Sequence, residues 1–180
     1  MLNIQFRGIS MSTFILGDKV PDFTLPAVNG EEFSFVSHQN QHKSWHLIIF
    51  FRGSWCPACR HDLKELEESK SYFEGKNLHL ITISTDQLEN LKKMVDELNF
   101  TFTVLADEEL KTLKAYDVFY HGENAPYEDH GTHGEPAYFL VDENGQLLYQ
   151  QKQTSPFGRP SSTELRKIVQ YIGKNLKTNQ

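Results

Sequence analysis

The feature that most constrains this chain is a pair of cysteines, Cys56 and Cys59, at the junction of two predicted elements. They are the only cysteines among 180 residues. A continuous apolar run at 47–51 precedes them and predicts a strand that is buried on both faces. Leu63 and Leu66 follow at helical spacing, which predicts an amphipathic helix. A C-x-x-C motif at such a junction is typical of a redox-active dithiol.

Composition and charge exclude several other classes of function for the chain. A net charge of −6 is unfavourable for binding nucleic acid or an anionic membrane, so neither partner is expected. No apolar stretch reaches the roughly 18 residues of a membrane span, and residues 1–10 lack the pattern of a secretory signal. We therefore expect a cytoplasmic protein. Two cysteines in such a chain form neither a disulfide framework nor a four-thiolate zinc site, and no metal or cofactor is predicted.

The remaining sequence predicts alternating strands and helices. Asn29-Gly30 and Asn144-Gly145 each lie between apolar runs, which indicates two β-hairpins. Between the hairpins we predict a polar connection at 38–44, strands at 78–84 and 100–105, a helix at 88–98, and a helix that begins at Asp107. A long loop at 116–135 precedes the second hairpin, and a capping box of Ser161 and Glu164 begins the last helix.

This order of elements predicts an α/β fold with a mixed central sheet and helices on both faces. At this length one domain is expected. We predict a flexible N-terminal extension at 1–12, a single domain at 13–176 and a short tail at 177–180.

The Trp-Cys-Pro-Ala-Cys motif at 55–59, set in this order of elements, resembles the thioredoxin superfamily. More closely, the chain resembles its peroxiredoxin-like (redoxin) branch, the alkyl hydroperoxide reductase/thiol-specific antioxidant group. The likeness rests on residues 17–23, 52–63, 136–149 and 156–160. It implies a thioredoxin fold with an N-terminal β-hairpin extension and a thiol-dependent oxidoreductase. It also implies a cis peptide bond at Pro136, beside the cysteines.

The chain departs from the peroxiredoxin pattern at several positions. Gly53 stands where peroxiredoxins carry Thr or Ser, and Ile49 stands where they carry Pro. Their active-site arginine has no counterpart at 135–139. These departures favour the reduction or exchange of disulfides by a Cys56/Cys59 dithiol. Reduction of hydroperoxides through a Cys56 sulfenic acid is the alternative, and a metallochaperone or redox sensor is the alternative outside enzymes.

Roles for individual residues follow from the motif and the resemblance. Cys56 lies at the predicted helix N-terminus, where free N–H groups and the helix dipole lower a thiol pKa, so it is the candidate nucleophile. Cys59, one turn later, is the resolving cysteine. Asp62 either accepts a proton from Cys59 or is a solvated acid on the helix surface. Trp55 either offers a flat surface to a disulfide substrate or covers the start of the helix.

Other charged residues leave further alternatives open. Arg52 and Arg60 flank the motif and either stabilise the thiolate or form a solvated surface pair. His61 receives no role. Histidines and acids in the long loop form a second candidate, either a zinc or copper site or a solvated loop: His121, Glu128, Asp129, His130 and His133.

The predicted partners follow from the dithiol chemistry. The substrate is a protein disulfide or a hydroperoxide, and the reductant is a thioredoxin-type protein or a low-molecular-weight thiol. The expected oligomeric state is a monomer or a homodimer.

Overall fold

The computed structural model describes residues 14–123, 125–127 and 130–177. The strands are β1 (Thr24–Pro26), β2 (Glu32–Ser34), β3 (Trp45–Phe50), β4 (Leu78–Ser84), β5 (Thr103–Ala106), β6 (Tyr120–His121), β7 (His133–Gly134), β8 (Ala137–Val141) and β9 (Leu147–Lys152). The helices are α1 (Phe35–His42), α2 (Pro57–Glu68), α3 (Lys70–Glu74), α4 (Leu88–Leu98), α5 (Lys111–Ala115) and α6 (Ser162–Asn175). The extension predicted at 1–12 lies outside the described residues, and the domain limits remain a prediction.

Five strands form the central sheet, in the order β5-β4-β3-β8-β9. β3 pairs in parallel with β4, and β4 pairs in parallel with β5. β8 is antiparallel to both β3 and β9. The predicted mixed α/β sheet is therefore confirmed. Because β3 is the middle strand, the cysteines that follow it lie at the centre of one sheet edge.

Side chains of β3 alternate between two apolar cores, as the two-residue period of a strand requires. Leu47 and Ile49 face a core that also holds apolar side chains of α2, α3, α4 and α6. Ile48 and Phe50 face a second core, built with Phe35 of α1 and residues of α5. Helices thus cover both faces, as predicted. None of the helices in the described part of the chain is long and apolar enough to cross a membrane.

Both predicted hairpins are present. β1 and β2 pair antiparallel around Asn29-Gly30 and form the N-terminal hairpin extension. β8 and β9 pair antiparallel around Asn144-Gly145. The capping box of Ser161 and Glu164 also forms and begins α6, where such a cap stabilises a helix by about 1 kcal/mol.

Three local predictions are wrong. The segment predicted as a polar connection at 38–44 belongs largely to α1, which buries only Phe35 and Gln39 and so has little apolar periodicity. The helix predicted to begin at Asp107 begins four residues later, because the Asp107 carboxylate instead accepts hydrogen bonds from the backbone N–H groups of 111–113. The long loop at 116–135 contains the short pair β6 and β7.

Candidate active site

The turn between β3 and α2 places the Cys56 sulfur at the N-terminus of a helix. Cys56 is the N-cap of α2, and its Sγ accepts a hydrogen bond from the Cys59 backbone N–H at 3.3 Å. Pro57 follows at the first helical position, where no N–H is needed. The turn is attached to the end of β4 through Asp86, whose carboxylate accepts hydrogen bonds from Ser54 N–H and Oγ. The predicted position of Cys56 is therefore confirmed.

The surroundings shift the pKa values of the two cysteines in opposite directions. A hydrogen bond from the Cys59 thiol, followed by the Cys59 backbone N–H and by Arg52, lowers the pKa of Cys56 to about 6, against the opposing effect of burial. The hydrogen bond that Cys59 donates to Cys56, together with burial, raises the pKa of Cys59. At neutral pH the pair therefore holds one thiolate, on Cys56, and one thiol, on Cys59.

A buried charged network backs Cys56. The Arg52 Nη1 lies 4.0 Å from the Cys56 Sγ, and its Nε lies 3.2 Å from a carboxylate oxygen of Glu135, which is fully buried. His121 and His133 both contact the other oxygen of Glu135, at 2.7 and 3.4 Å. His133 also contacts Arg52 at 3.2 Å. The network fixes a guanidinium beside the sulfur, so the surface-pair interpretation of Arg52 is wrong.

The indole of Trp55 covers this network. The Arg52 guanidinium lies 4.8 Å from the centroid of the Trp55 ring, in cation–π contact. His130 stacks on the indole, with ring centroids 3.8 Å apart. A Cβ added at Gly53 would lie only 2.3 Å from the indole Nε1. A side chain at position 53 would therefore collide with the indole of Trp55 unless the indole moved.

Cys59 lies against a different set of residues from Cys56. A small cavity is lined by Cys59, Asp62, Pro136, Tyr138 and Arg159, among other residues. The Arg159 Nη1 lies 3.7 Å from the Cys59 Sγ and 3.0 Å from a carboxylate oxygen of Asp62. Burial raises the pKa of Asp62, although Arg159 opposes this shift.

These contacts decide some of the predictions and leave others open. Asp62 is half-buried and ion-paired, so it is not merely a solvated acid, but its role in proton transfer remains a prediction. Pro136 lines the same cavity as Cys59, but its peptide bond is not cis, and the described residues contain no cis bond. The Pro136 carbonyl instead accepts a hydrogen bond from the Gln153 N–H, which continues the pairing of β8 with β9.

The remaining flanking residues lie away from the sulfurs. Arg60 is partly buried and pairs with Glu97 and with the Ser54 carbonyl, so the surface-pair interpretation applies to it in part. His61 is exposed and pairs with Glu65 one turn later.

Only some of the candidate metal ligands in the long loop lie close together. His121 and His133 meet at Glu135, which the sequence did not single out, and the three residues offer ligand atoms within 4.8 Å of one another. The other carboxylate oxygen of Glu135 is ion-paired with Arg52, so the three residues also border the guanidinium beside Cys56. His130 lies on Trp55 instead, and Glu128 and Asp129 lie outside the described residues.

Two site residues were missed from the sequence. Arg159 is 100 residues from Cys59 along the chain, and Glu135 is 83 residues beyond Arg52. The sequence offered one signal, which is that the charged Glu135 stands directly before Pro136 and an apolar strand. An acid that is buried at such a position needs a partner, because acids are rarely fully buried without one.

Comparison with known proteins identifies the group to which the chain belongs. The sequence model of the AhpC/TSA family matches residues 16–150. A putative peroxiredoxin of Mycobacterium tuberculosis is 26% identical over 142 residues, 79% of this chain and 87% of the relative. Peroxiredoxin Bcp of Bacillus subtilis is 26% identical over 136 residues, 76% of this chain and 83% of the relative.

Solved structures agree on the fold. The crystal structure of peroxidoxin BcpB from Mycobacterium tuberculosis superposes with a TM-score of 0.73, at 16% identity, covering 92% of this chain and all of that one. A putative thiol:disulfide interchange protein DsbE from Chlorobium tepidum gives a TM-score of 0.67 at 25% identity, covering 89% and 99% of the two chains. The chain therefore belongs to the AhpC/TSA family, and it is a peroxiredoxin-like, thiol-dependent oxidoreductase with a thioredoxin fold.

Proposed function

We propose that the protein is a two-cysteine thiol peroxidase in which Cys56 reduces a hydroperoxide and Cys59 resolves the product. One observation carries the proposal: the Cys56 sulfur lies beside a guanidinium that Glu135 holds in place. Arg52 thus offers the cationic group for which the segment 135–139 has no arginine. Such a donor can stabilise negative charge on the oxygen that leaves as the O–O bond breaks. The AhpC/TSA membership and the peroxiredoxin relatives support the same substrate class.

The reaction balances with the two cysteines and one external reductant. The Cys56 thiolate attacks one peroxide oxygen, the O–O bond breaks, and the other oxygen leaves as an alcohol after taking a proton. Cys56 is then a sulfenic acid. Cys59 attacks its sulfur, water leaves, and a Cys56–Cys59 disulfide forms. A thioredoxin-type protein or a low-molecular-weight thiol supplies two electrons and restores the dithiol.

Burial favours a small substrate. Each cysteine residue is only 1% exposed, so a hydroperoxide reaches the sulfur more easily than a disulfide on a folded protein. We place the reaction in the cytoplasm, where such reductants keep a dithiol reduced.

Disulfide exchange is the second candidate, favoured by the C-x-x-C spacing itself. In that reaction Cys56 attacks a substrate disulfide, and Cys59 then releases the mixed disulfide. The similarity to the DsbE structure supports this candidate, and the same two residues keep the same order of action.

One experiment separates the candidates. Reduced protein is mixed with hydrogen peroxide, an organic hydroperoxide or insulin, with thioredoxin as the electron donor. We expect peroxide consumption by the wild type and none above background by Cys56→Ser. Cys59→Ser should complete one turnover and stop at a sulfenic acid that dimedone traps. Reduction of insulin that depends on Cys56, without any peroxide consumption, would reject the peroxidase and support disulfide exchange.

A further inference from the structure

A second cluster of histidines lies at the opposite end of the sheet from the cysteines. His38 and His42 are one turn apart on α1, and His79 is the second residue of β4. His46, the second residue of β3, is in register with His79. Because β3 runs from His46 towards Cys56, this cluster and the dithiol are separated by the length of the central strand.

Three of these imidazoles surround one point. The ring centroids are 4.2 Å apart for His38 and His42, 4.7 Å for His42 and His79, and 4.8 Å for His38 and His79. Each ring offers a nitrogen, and the three nitrogens lie within 4.8 Å of one another. Two elements that are far apart in the sequence therefore bring three imidazole nitrogens together.

Two of the three rings have a hydrogen-bond partner at their Nδ1 atoms. The His38 Nδ1 lies 2.9 Å from the His46 Nε2, and the His79 Nδ1 lies 2.7 Å from the Ser44 Oγ. His46 and Ser44 are both fully buried, so they hold these rings in place. A histidine that binds a metal generally donates its other ring N–H to such a partner. With Nδ1 engaged in this way, Nε2 of His38 and His79 is the ligand atom.

We propose that His38, His42 and His79 bind a divalent late transition metal ion, with Zn²⁺ as the first candidate. Imidazole nitrogen is a ligand that Zn²⁺ prefers, and three protein ligands leave a fourth tetrahedral position for water. Zn–N bonds of about 2.0–2.1 Å place tetrahedral ligands about 3.3 Å apart, so the nitrogens have to close by about 1.5 Å at most. His42 is exposed, and rotation of its ring can provide this movement.

The local charge is compatible with a bound cation. Lys70 and Glu74 both act on His79, and they pair with each other at 3.1 Å, so their charges offset one another. The bound ion joins α1, which precedes β3, to β4, which follows α2 and α3. Its role is to stabilise this end of the sheet, and it makes no contact with the dithiol.

Zinc binding by the full chain tests the proposal. A parent variant carrying Cys56→Ser and Cys59→Ser prevents the dithiol from binding the metal. Titration of this parent with zinc chloride, monitored by isothermal calorimetry, should show that one ion binds per chain. His42→Ala should weaken binding by at least about 100-fold, and Ser44→Ala, which removes an outer partner, by about 10-fold. Zinc should raise the unfolding midpoint of the parent more than that of His42→Ala.

Two control variants make the result specific. His61→Ala removes an exposed histidine on α2 and should leave zinc affinity unchanged. His121→Ala disrupts the other histidine group, at Glu135, and should also leave it unchanged. No saturable binding by the parent would overturn the proposal. Equal affinity of His42→Ala and the parent, or loss of binding in His121→Ala alone, would overturn it as well.

Discussion

The surroundings of Cys56 and Cys59 differ, although the residues are one helical turn apart and equally buried. Burial raises the pKa of both thiols, yet only the pKa of Cys59 ends above its ordinary value. The Cys59 N–H and the Arg52 Nη1 both lie within hydrogen-bonding reach of the Cys56 sulfur, and the neighbouring Cys59 thiol lowers the pKa of Cys56 most. The comparison teaches that directed hydrogen bonds, more than the exposed fraction of each residue, determine which thiol has the lower pKa.

Each cysteine also has its own pair of arginine and carboxylate. Arg52 pairs with Glu135 in the interior, where the carboxylate is fully buried. Arg159 pairs with Asp62, whose side chain is 32% exposed. The first pair is fixed by two histidines, whereas the second lies near solvent. We therefore expect changes at the interior pair to have larger effects than changes at the outer pair.

The largest effect is expected for Arg52→Met. Loss of the guanidinium removes the donor that stabilises the leaving oxygen, and such a loss costs about 100-fold in peroxide turnover. Stopped-flow measurement of peroxide reduction would test this. Because Arg52→Met leaves Glu135 buried without its partner, the unfolding midpoint has to be measured as well.

Arg52→Lys and Arg60→Met are the controls for that prediction. The lysine keeps the charge but loses the planar fork, so an intermediate rate is expected. Arg60 pairs with Glu97 away from the sulfurs, and its loss should leave the rate unchanged. A folded Arg52→Met variant with the wild-type rate would remove Arg52 from the chemistry.

Replacing Cys59 tests the strongest donor to Cys56. Cys59→Ala removes the thiol, so the pKa of Cys56 should rise from about 6 towards the 8.5 of a free cysteine. The thiolate fraction at pH 7 would then fall by up to about 30-fold. Cys59→Ser keeps a hydroxyl donor and should shift the pKa less. Ultraviolet absorbance of the thiolate measures both, and equal pKa values in the two variants would contradict this account.

At the outer pair, Arg159→Met should slow resolution by Cys59 and spare the first step. The guanidinium favours the Cys59 thiolate, so its removal should raise the pKa of Cys59 further and slow resolution by roughly tenfold. Rapid quench after one equivalent of peroxide, with dimedone as a trap, should show a longer-lived sulfenic acid. A slower first step with unchanged resolution would reverse the assignment of the two arginines.

The smallest effect is expected for Asp62→Asn. A partly exposed ion pair is worth about 0.2–1 kcal/mol, so loss of its hold on Arg159 should slow resolution by about threefold. The slowing should depend on pH if Asp62 also accepts the Cys59 proton. Resolution at the wild-type rate from pH 6 to pH 9 would remove Asp62 from the mechanism.

Local features of the fold were predictable from the sequence because neighbouring residues carry them. The apolar run of β3, the helix after Cys56 and both Asn-Gly turns each depend on residues within one segment. α1 was missed because the packing of Phe35 and Gln39, and not an apolar stripe, stabilises it. The start of α5 was misplaced because two arrangements look alike in sequence. Acids can lie in the first turn of a helix, or an acid that precedes the helix can accept hydrogen bonds from its first N–H groups.

The site was predictable only as far as the motif extends. Cys56 and Cys59 could be assigned since both lie at one helix start. Arg159 reaches Cys59, and Glu135 reaches Arg52, from segments that are far away in the sequence, and no local spacing records those contacts. The cis bond expected at Pro136 was wrong, because it came from the family resemblance and not from the residues.

The central claim is that Cys56 alone is the thiolate at neutral pH. Site-resolved alkylation of the reduced wild-type protein, read by mass spectrometry from pH 4 to pH 9, measures it directly. This account predicts that Cys56 is modified with a midpoint near pH 6, while Cys59 stays unmodified throughout. Modification of both cysteines with a common midpoint near 8.5, or of Cys59 first, would contradict it.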